Sequence, residues 1–454
     1  MISHLLQNQD NYVAKIVLIF MLFVLSTKAS GQEALVSNGG SITVVGPGGQ
    51  NGNLGIAVLG NFINLNDGAN DGSIELSKGH IFVTGDWTNN ANNNVFTTFS
   101  GSNADGFVTL SHPNTPQLIG GTSPTFFENL TVTSSRKILA VDNCSVNGSL
   151  FVDAPFELDA NTFIINNPSP AGIVYQSGFI KSETMPGTYS TIRWNIGSSI
   201  ASYEIPFGSD NFSISNDLNL KMEILSSMNV GDFIDFATYP TDRFNFPLPT
   251  GATALETEAK KVVDRFWIIK TSDPLVKPTS NITFTYTSDD VNPAFNSINP
   301  QHLKASRDNT MIGEWLDMAP RGISVGKTVE IQNVAPTELF DSWTLLNLPG
   351  PLTDLFAPDA FSPNGDGVND KFFPVFQEDF EVIQYDLYIY NRWGLQVFHT
   401  TSQTEGWDGR DANSTFEPQI GVYTWVIVVK GRSRYNLDAE GEVKRHVGRV
   451  TLVR

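Results

Sequence analysis

The sequence is nearly devoid of cysteine, since Cys144 is the single one among 454 residues. A lone thiol excludes an intramolecular disulfide framework and a cysteine-based zinc site. Cys144 lies in a run at residues 143–147 that has the pattern of a strand. We therefore expect it to be a small buried side chain and not a reactive one.

Positive charge is also scarce. Lys and Arg total 28 against 47 Asp and Glu, which gives a formal net charge of -19. This balance argues against nucleic acid and against an anionic membrane surface as partners, because both require clustered cations. Charged residues make up 17% of the chain, so the surface must be rich in Asn, Ser, Thr and Gly. That composition is typical of β-structure with many turns.

Catalytic signatures are missing as well. The histidines after the first residues are scattered, and none has the spacing of a zinc motif: His80, His112, His302, His399 and His446. The sequence has no Gly-x-Ser-x-Gly elbow, P-loop or Gly-x-Gly-x-x-Gly motif. We expect a protein that is not an enzyme and has no cofactor apart from a possible structural calcium ion.

Polysaccharide lyases are the alternative, because they combine clustered acids with a basic residue on neighbouring turns of a β-helix. The candidates here are sparse, and solvated turn positions are the favoured interpretation for all of them: Arg136, Lys137, Asp142, Asp153 and Asp159.

Long apolar runs are absent except near the start. Lys15 precedes an apolar stretch at residues 16–25, and small residues follow at Ala29 and Gly31. This pattern predicts a signal peptide over residues 1–31, with an uncleaved anchor as the alternative. We expect no transmembrane segment in the mature chain. A large exported protein without disulfides fits a bacterial route.

Short β-runs separated by Asn, Gly and Asp occupy residues 32–186, and apolar residues alternate within each run. Their irregular recurrence predicts the stacked turns of a β-solenoid, although a β-sandwich would give similar runs. Residues 187–349 contain longer alternating runs with Trp and Pro, which predict one or two β-sandwich modules. Paired prolines indicate a linker over residues 350–354.

The segment at residues 355–454 contains about five longer strand candidates, the fourth of which, at residues 422–430, is apolar on both faces. A strand of that kind is typical of a sheet covered on both sides. We expect a compact, Ig-like antiparallel β-sandwich, and the predicted fold class of the whole chain is all-β.

Four motifs follow one another in this C-terminal segment, at residues 361–370, 389–394, 406–409 and 421–425. In order, spacing and terminal position they resemble the gliding motility-associated C-terminal domain family of Bacteroidetes. The residues that carry the resemblance are Phe361, Pro363, Asn364, Gly365, Asp366, Gly367, Asn369, Asp370, Asn391, Arg392, Trp393, Gly394, Gly406, Trp407, Asp408, Gly409, Gly421, Tyr423 and Trp425. The resemblance implies a type IX secretion sorting signal, recognised by the outer-membrane translocon. It also implies a place in the medium or on the outer face of the outer membrane.

The upstream region resembles the β-helical repeat regions of secreted Bacteroidetes surface proteins. Residues 85–89, 127–132 and 158–167 carry this second, looser resemblance. It implies an architecture and no particular activity.

The first motif also has part of a calcium loop. Asn364, Asp366 and Asp370 occupy spacings at which such loops place oxygen ligands, but Ser362 and Phe373 stand where acids are required. The alternative is a turn that closes on its own side chains.

Two tryptophans of the later motifs, Trp393 and Trp407, follow turns in which an indole ring commonly packs into the core. Packing is therefore favoured for both, and recognition by the translocon is the alternative. For the chain as a whole we expect an adhesive or structural surface protein whose partners are glycans or neighbouring cells. A lyase-type enzyme and an inert matrix component are the alternatives.

Overall fold

The computed structural model describes residues 34–45, 55–93, 95–96, 106–184, 188–209, 218–255, 257–318, 323–348, 355–376, 380–411, 419–433 and 442–453. The signal peptide predicted for residues 1–31 and the linker predicted for residues 350–354 both lie outside these residues. Strands make up 51% of the structure and no α-helix occurs in the described residues, which confirms the all-β class.

Two compact units divide the chain. The first contains the described residues up to Asn296 together with Leu303–Leu346, and the second contains Ser297–His302 and the described residues from Asn347 onward. The finer domain boundaries stay a prediction. No helix in the described ranges is long and apolar enough to cross a membrane.

The first unit begins with short strands that recur in three sets. In chain order they are β1 (Ala34–Asn38), β2 (Ser41–Val45), β3 (Gly55–Val58), β4 (Asn61–Leu65), β5 (Ser73–Ser77), β6 (His80–Val83), β7 (Trp87–Asn90), β8 (Phe107–His112), β9 (Gln117–Gly121), β10 (Phe126–Phe127), β11 (Asn129–Ser134), β12 (Lys137–Leu139), β13 (Cys144–Val146), β14 (Leu150–Val152), β15 (Phe156–Glu157), β16 (Thr162–Ile165), β17 (Ile173–Tyr175), β18 (Ile180–Lys181) and β19 (Thr191–Trp194).

These strands pair in parallel with the strand about one turn later in the chain. One sheet has the order β1-β4-β7-β9-β12-β15-β18, a second has β3-β6-β8-β11-β14-β17, and β10-β13-β16-β19 form the parallel part of a third. A further parallel pair joins β2 to β5. Because consecutive strands belong to different sheets, each sheet is built from every third strand or nearly so.

Alternation explains why each strand presents one apolar face. In β11, Leu130 and Val132 are fully buried, and their register partners Leu150 and Val152 on β14 are buried as well. Cys144 on β13 is also buried, beside its register partner Phe163 on β16, which confirms its expected role as a small core residue. Burial raises the pKa of its thiol to about 11, so the thiol stays protonated and unreactive at neutral pH.

The remainder of the first unit is mainly antiparallel. Its strands are β20 (Ser202–Ile205), β21 (Leu220–Ile224), β22 (Ile234–Pro240), β23 (Arg265–Thr271), β24 (Ser280–Thr285), β25 (Leu303–Asn309), β26 (Glu314–Asp317), β27 (Ile323–Val325), β28 (Thr328–Val334) and β29 (Ser342–Asn347). Short 3-10 turns lie at Pro170–Gly172, Ala259–Lys261, Asp289–Val291 and Pro300–His302.

The change from parallel to antiparallel pairing occurs at β19. This strand pairs in parallel with β16 and antiparallel with β22, so one nine-stranded sheet runs on as β22-β23-β29-β25-β26. A five-stranded sheet of order β20-β21-β24-β28-β27 contributes Phe284, whose ring packs against Trp267 and Trp343 of the nine-stranded sheet. Both indole rings are fully buried.

The second unit carries the C-terminal strands. They are β30 (Leu355–Phe356), β31 (Ala360–Phe361), β32 (Val375–Phe376), β33 (Phe380–Tyr390), β34 (Gln396–Thr400), β35 (Gly421–Ser433) and β36 (Glu442–Leu452). Five of them form a sheet of order β31-β36-β35-β33-β34, in which β31 pairs in parallel with β36 and the other pairs are antiparallel. The remaining two strands, β30 and β32, pair with each other.

One face of β35 is more open than its sequence suggests. Tyr423, Trp425 and Ile427 are buried in the core, whereas Val422 on the opposite face is 54% exposed. Val447, the register partner of Val426 on β36, is 58% exposed. On that same face Val426 is buried and Val428 is half-buried, so the face is partly covered, and a sheet covered on both sides stays a prediction.

Candidate functional site

The first C-terminal motif forms a loop that closes on its own side chains. Asn364 donates its side-chain amide to Asp366 at 2.9 Å and accepts the backbone N–H of Asp366 at 3.0 Å. Both carboxylate oxygens of Asp370 accept backbone N–H groups, from Gly365 at 2.7 Å and from Gly367 at 2.8 Å. The two glycines have positive φ, which allows their N–H groups to converge on one carboxylate.

Asp366 is likewise engaged, because it accepts the backbone N–H of Val368 at 2.7 Å. This bond lowers the pKa of the Asp366 carboxyl, which therefore stays ionised. Among the described residues, no group of three or more His, Cys, Asp or Glu side chains is arranged to hold a metal ion. The structure thus brings Asn364, Asp366 and Asp370 into one loop, and the calcium site there stays a prediction.

The two motif tryptophans have opposite environments. Trp407 is fully buried, lies 5.2 Å from the ring of Phe361 and 4.7 Å from that of Tyr423, and donates its indole N–H to the carbonyl of Arg410 at 2.7 Å. Packing is therefore confirmed for Trp407. Trp393 is 67% exposed, so the packing interpretation was wrong for this residue.

Trp393 is exposed because it lies at the tip of the β33–β34 hairpin. The side chain of Asn391 accepts the backbone N–H groups of Trp393 and Leu395, both at 3.0 Å, and Gly394 adopts a positive φ. The guanidinium of Arg392 lies 5.0 Å from the Trp393 ring. Leu395 is exposed too, so the tip presents two large apolar side chains to solvent.

The remaining motif residues are structural. Gly406, Asp408 and Gly409 shape the turn around Trp407, and a Cβ at Gly409 would lie 2.5 Å from Leu452. Gly421 begins β35, and the hydroxyl of Tyr423 donates to the carbonyl of Gln419 at 2.7 Å. Pro363 lines the same turn, and Asn369 has a positive φ. These residues hold the C-terminal core and the loop together around Trp407 and Trp425.

Comparison with protein families assigns this part of the chain. Residues 355–441 match the model of the CHU_C type IX secretion signal domain. The match indicates export by the type IX secretion machinery and a secreted or cell-surface protein. The signal domain thus covers the loop, both tryptophans and β35, while β36 follows the matched residues. The chain matches no curated protein and no solved structure.

A second candidate site lies in the first unit. A groove of about 550 Å³ crosses the strands β10, β13, β16 and β19 on the face away from their buried residues. Its lining residues are Phe96, Phe126, Glu128, Ser145, Asn147, Ile164, Asn166, Arg193, Asn195 and Phe233.

Four of these residues follow directly after the four strands and form a hydrogen-bonded ladder. Asn195 donates its amide to Asn166 at 2.7 Å, Asn166 donates to Asn147 at 2.9 Å, and Asn147 donates to Glu128 at 3.3 Å. The parallel register places these side chains one above another, because each preceding residue pairs with its counterpart on the next strand. Burial raises the pKa of the Glu128 carboxyl at the end of the ladder.

A second row of lining residues stands two positions before the ladder residues in the chain and ends in an ion pair. The row consists of Phe126, Ser145, Ile164 and Arg193. Arg193 binds Asp235 with two hydrogen bonds, at 2.8 and 2.9 Å, and its guanidinium lies 3.9 Å from the ring of Phe233. The hydrogen bonds to Asp235 raise the pKa of Arg193 further, so it remains a paired cation. Phe126, 40% exposed, lies at the other end of this row.

Sequence reasoning missed this groove. Its signal is a polar residue after an apolar one at the end of each strand, but the ladder partners are separated by 19 residues in two cases and by 29 in the third. Uneven turn lengths hide such a repeat from inspection of the sequence.

The residues considered for a lyase lie on two successive turns, which contain the parallel pair β12 and β15. Arg136 pairs with Glu157 at 2.9 Å, and Asp142 accepts the backbone N–H of Thr162 at 2.7 Å. Lys137 is fully buried at the start of β12, and its ammonium donates to the carbonyls of Thr133 and Ser135, so the expectation of a solvated turn position was wrong for this residue. Asp159 has a positive φ at a turn, and Asp153 follows β14. Desolvation lowers the pKa of Lys137 to about 8.

Proposed function

We propose that this chain is a non-enzymatic protein of the cell surface or medium, exported through its C-terminal signal domain, with an adhesive or structural role. The observation that supports this proposal is the match of residues 355–441 to a type IX secretion signal domain. The exposed hairpin tip with Trp393 and Leu395 is the surface we assign to recognition by the outer-membrane translocon.

The upstream region supports the adhesive part of the proposal. We interpret its three sets of stacked parallel strands as a β-solenoid, followed by sandwich modules in the antiparallel part. A solenoid presents the same outer face on successive turns, which suits binding to a repetitive surface such as a glycan. On this proposal the second unit is an antiparallel sandwich that carries the type IX secretion signal.

Cell fractionation tests the export step. The full chain and a truncation ending at Leu352 are expressed in a bacterium with a type IX system. The full chain is expected at the surface or in the medium, and the truncated chain in the periplasm. A reporter placed between residues 1–31 and residues 353–454 is the control, because it carries both export signals and must reach the surface even if truncation destabilises the rest of the chain. A truncated chain that still reaches the surface would refute the proposal.

A lyase-type activity is the second candidate, and a purified full chain can be assayed for it on polysaccharide substrates. The non-enzymatic proposal expects no cleavage. Cleavage that disappears in Asp142→Ala or Asp153→Ala would replace the adhesive role by an enzymatic one. An attachment assay on a deletion strain tests adhesion itself, and unchanged attachment would favour an inert matrix component.

A further inference from the structure

We propose that the groove across β10, β13, β16 and β19 binds a segment of an uncharged polysaccharide chain. This inference rests on the adhesive role proposed above and specifies its ligand. The groove lies entirely within the first unit and shares no residue with the signal domain.

The dimensions of the groove suit an extended chain. Four parallel strands lie side by side, and neighbouring strands are about 4.8 Å apart, so the ladder spans about 14 Å. A groove of this length accommodates a few consecutive sugar units lying across the strands. The long axis of the ligand would then follow the stacking direction, along which the same side chains recur.

The ladder leaves hydrogen-bonding capacity toward solvent. Within the ladder, Asn147 and Asn195 each donate one of two amide hydrogens, and the carbonyl of each asparagine has two lone pairs. Mutual bonding fixes the orientation of the amides, so their remaining donors and acceptors point in set directions. Sugar hydroxyls, which donate and accept at once, match such an array better than groups that can do one of the two.

Aromatic rings stand at both ends of the groove. Phe126 is exposed at the β10 end, and Phe233, half-buried under Arg193, lies at the β19 end. The C–H faces of sugar rings can cover such rings and remove apolar area from water. The groove thus offers polar contacts along its middle and aromatic contacts at its ends. This arrangement is expected of a site that orients its ligand by a few directed hydrogen bonds.

The charges of the groove favour a neutral ligand. Arg193 is already bonded to Asp235 through two hydrogen bonds, which leaves no unneutralised cation among the lining side chains that the structure describes. Glu128 adds an acidic group at the opposite end. A polyanion would therefore meet two carboxylates and one paired arginine, and would lose its hydration without gaining a counter-ion.

A peptide is a poorer occupant for a different reason. Extended peptides bind by pairing with the free backbone groups of a sheet edge. Here β13, β16 and β19 each pair on both sides and β10 is the end strand of the described sheet, so three of the four groove strands offer a face and not an edge. Recognition must come from side chains, which is the arrangement that a glycan requires.

Calorimetric titration of the purified full chain tests the proposal. The probes are neutral β-1,4-linked glucose, xylose and mannose hexasaccharides, with a galacturonic acid hexasaccharide as the anionic comparison. At least one neutral probe is expected to bind, and the anionic probe to bind more weakly. Asn147→Ala and Phe126→Ala are each expected to weaken binding about tenfold. Asn114→Ala, at an exposed position outside the groove, should leave it unchanged.

The far-ultraviolet circular dichroism of each variant confirms that it is folded, since both substituted side chains lie on the surface. No binding of any neutral probe at millimolar concentration by folded wild-type protein would overturn the proposal. Binding that the Asn147 and Phe126 variants retain would also overturn it, as would preference for the anionic probe. None of these results depends on export, so the signal-domain proposal would stand or fall by the fractionation experiment.

Discussion

Replacing Trp407 by alanine should open the signal domain, whereas the same change at Trp393 should not. The two tryptophans belong to neighbouring motifs and both follow turns, yet one ring is fully buried and the other is 67% exposed. Trp407 lies in contact with Phe361 and Tyr423 in the core of the five-stranded sheet. The pair therefore provides a matched comparison of the same substitution in two environments.

The expected magnitude follows from what Trp407 contacts. Truncating a fully buried tryptophan costs about 3–5 kcal/mol, through lost burial and the cavity that remains. The carbonyl of Arg410 also loses its indole donor, which adds about 1 kcal/mol. The free energy of unfolding of the domain should fall by at least about 4 kcal/mol, a large part of the stability of a typical domain. Trp393→Ala should change it by less than about 0.5 kcal/mol.

Hydrogen–deuterium exchange of the full chain measures this effect locally, because the amides of β35 report the opening of the second unit separately from the first. Amides of β35 should exchange about a thousandfold faster in Trp407→Ala and at the wild-type rate in Trp393→Ala. Trp407→Phe, which keeps a ring in the core, should lie between them. Equal exchange in the two alanine variants would refute the assignment of Trp407 as the central core residue of this unit.

Three further predictions concern buried ion pairs, pH and calcium. Arg265→Ala should lower the free energy of unfolding of the first unit by about 3–5 kcal/mol in urea titration, because Glu183 and Asp290 would lose their buried cation; an unchanged midpoint would contradict this. Burial raises the pKa of Asp264 to about 6. The protonated carboxyl therefore contributes fully to the stability of the fold below pH ~4, and this contribution is lost as the pH rises through 6. Over that window the melting temperature of Asp264→Asn should decline less than that of the wild type. Millimolar calcium added to chelator-treated protein should slow hydrogen–deuterium exchange in the signal domain of the wild type but not in that of Asp370→Asn. If calcium has no effect on the wild type, the loop is a turn closed by its own side chains.

The C-terminal unit was the more predictable part because its motifs are specific. Residues 355–441 carry a fixed order of turn and strand motifs, and a family model recognises them. The environment of each motif residue could not be predicted in the same way. Trp393 and Trp407 look alike in sequence, but the first lies at a hairpin tip and the second beside a bridge to Phe372. Burial depends on that long-range pairing, which no local pattern contains.

The positions of the upstream strands could be predicted from the sequence, but the strands with which they pair could not. Alternating apolar residues mark β11 and β16 directly, because one face of each must be buried. Parallel pairing between strands of successive turns depends on turn length, and equivalent asparagines are 19 residues apart on one turn and 29 on the next. The groove arises from that pairing, so the polar residue at the end of each strand is visible in the sequence, but its alignment with the others is not.

Two asparagine ladders in the first unit show why position, and not residue type, makes the groove a candidate site. Asn64 donates to Asn89 at 3.1 Å, and both side chains are fully buried. Asn89 uses its amide further, on the carbonyls of Asn93 and Pro124, so this ladder satisfies buried backbone and has no access to a ligand. The ladder from Asn195 to Glu128 is also made of side-chain hydrogen bonds, but it lies on the outer face and its bonds do not satisfy buried backbone carbonyls. Stacked turns bring asparagines together on an inner and on an outer face of the first unit, and the outer ladder is the one that a chain of sugar hydroxyls in solvent can reach.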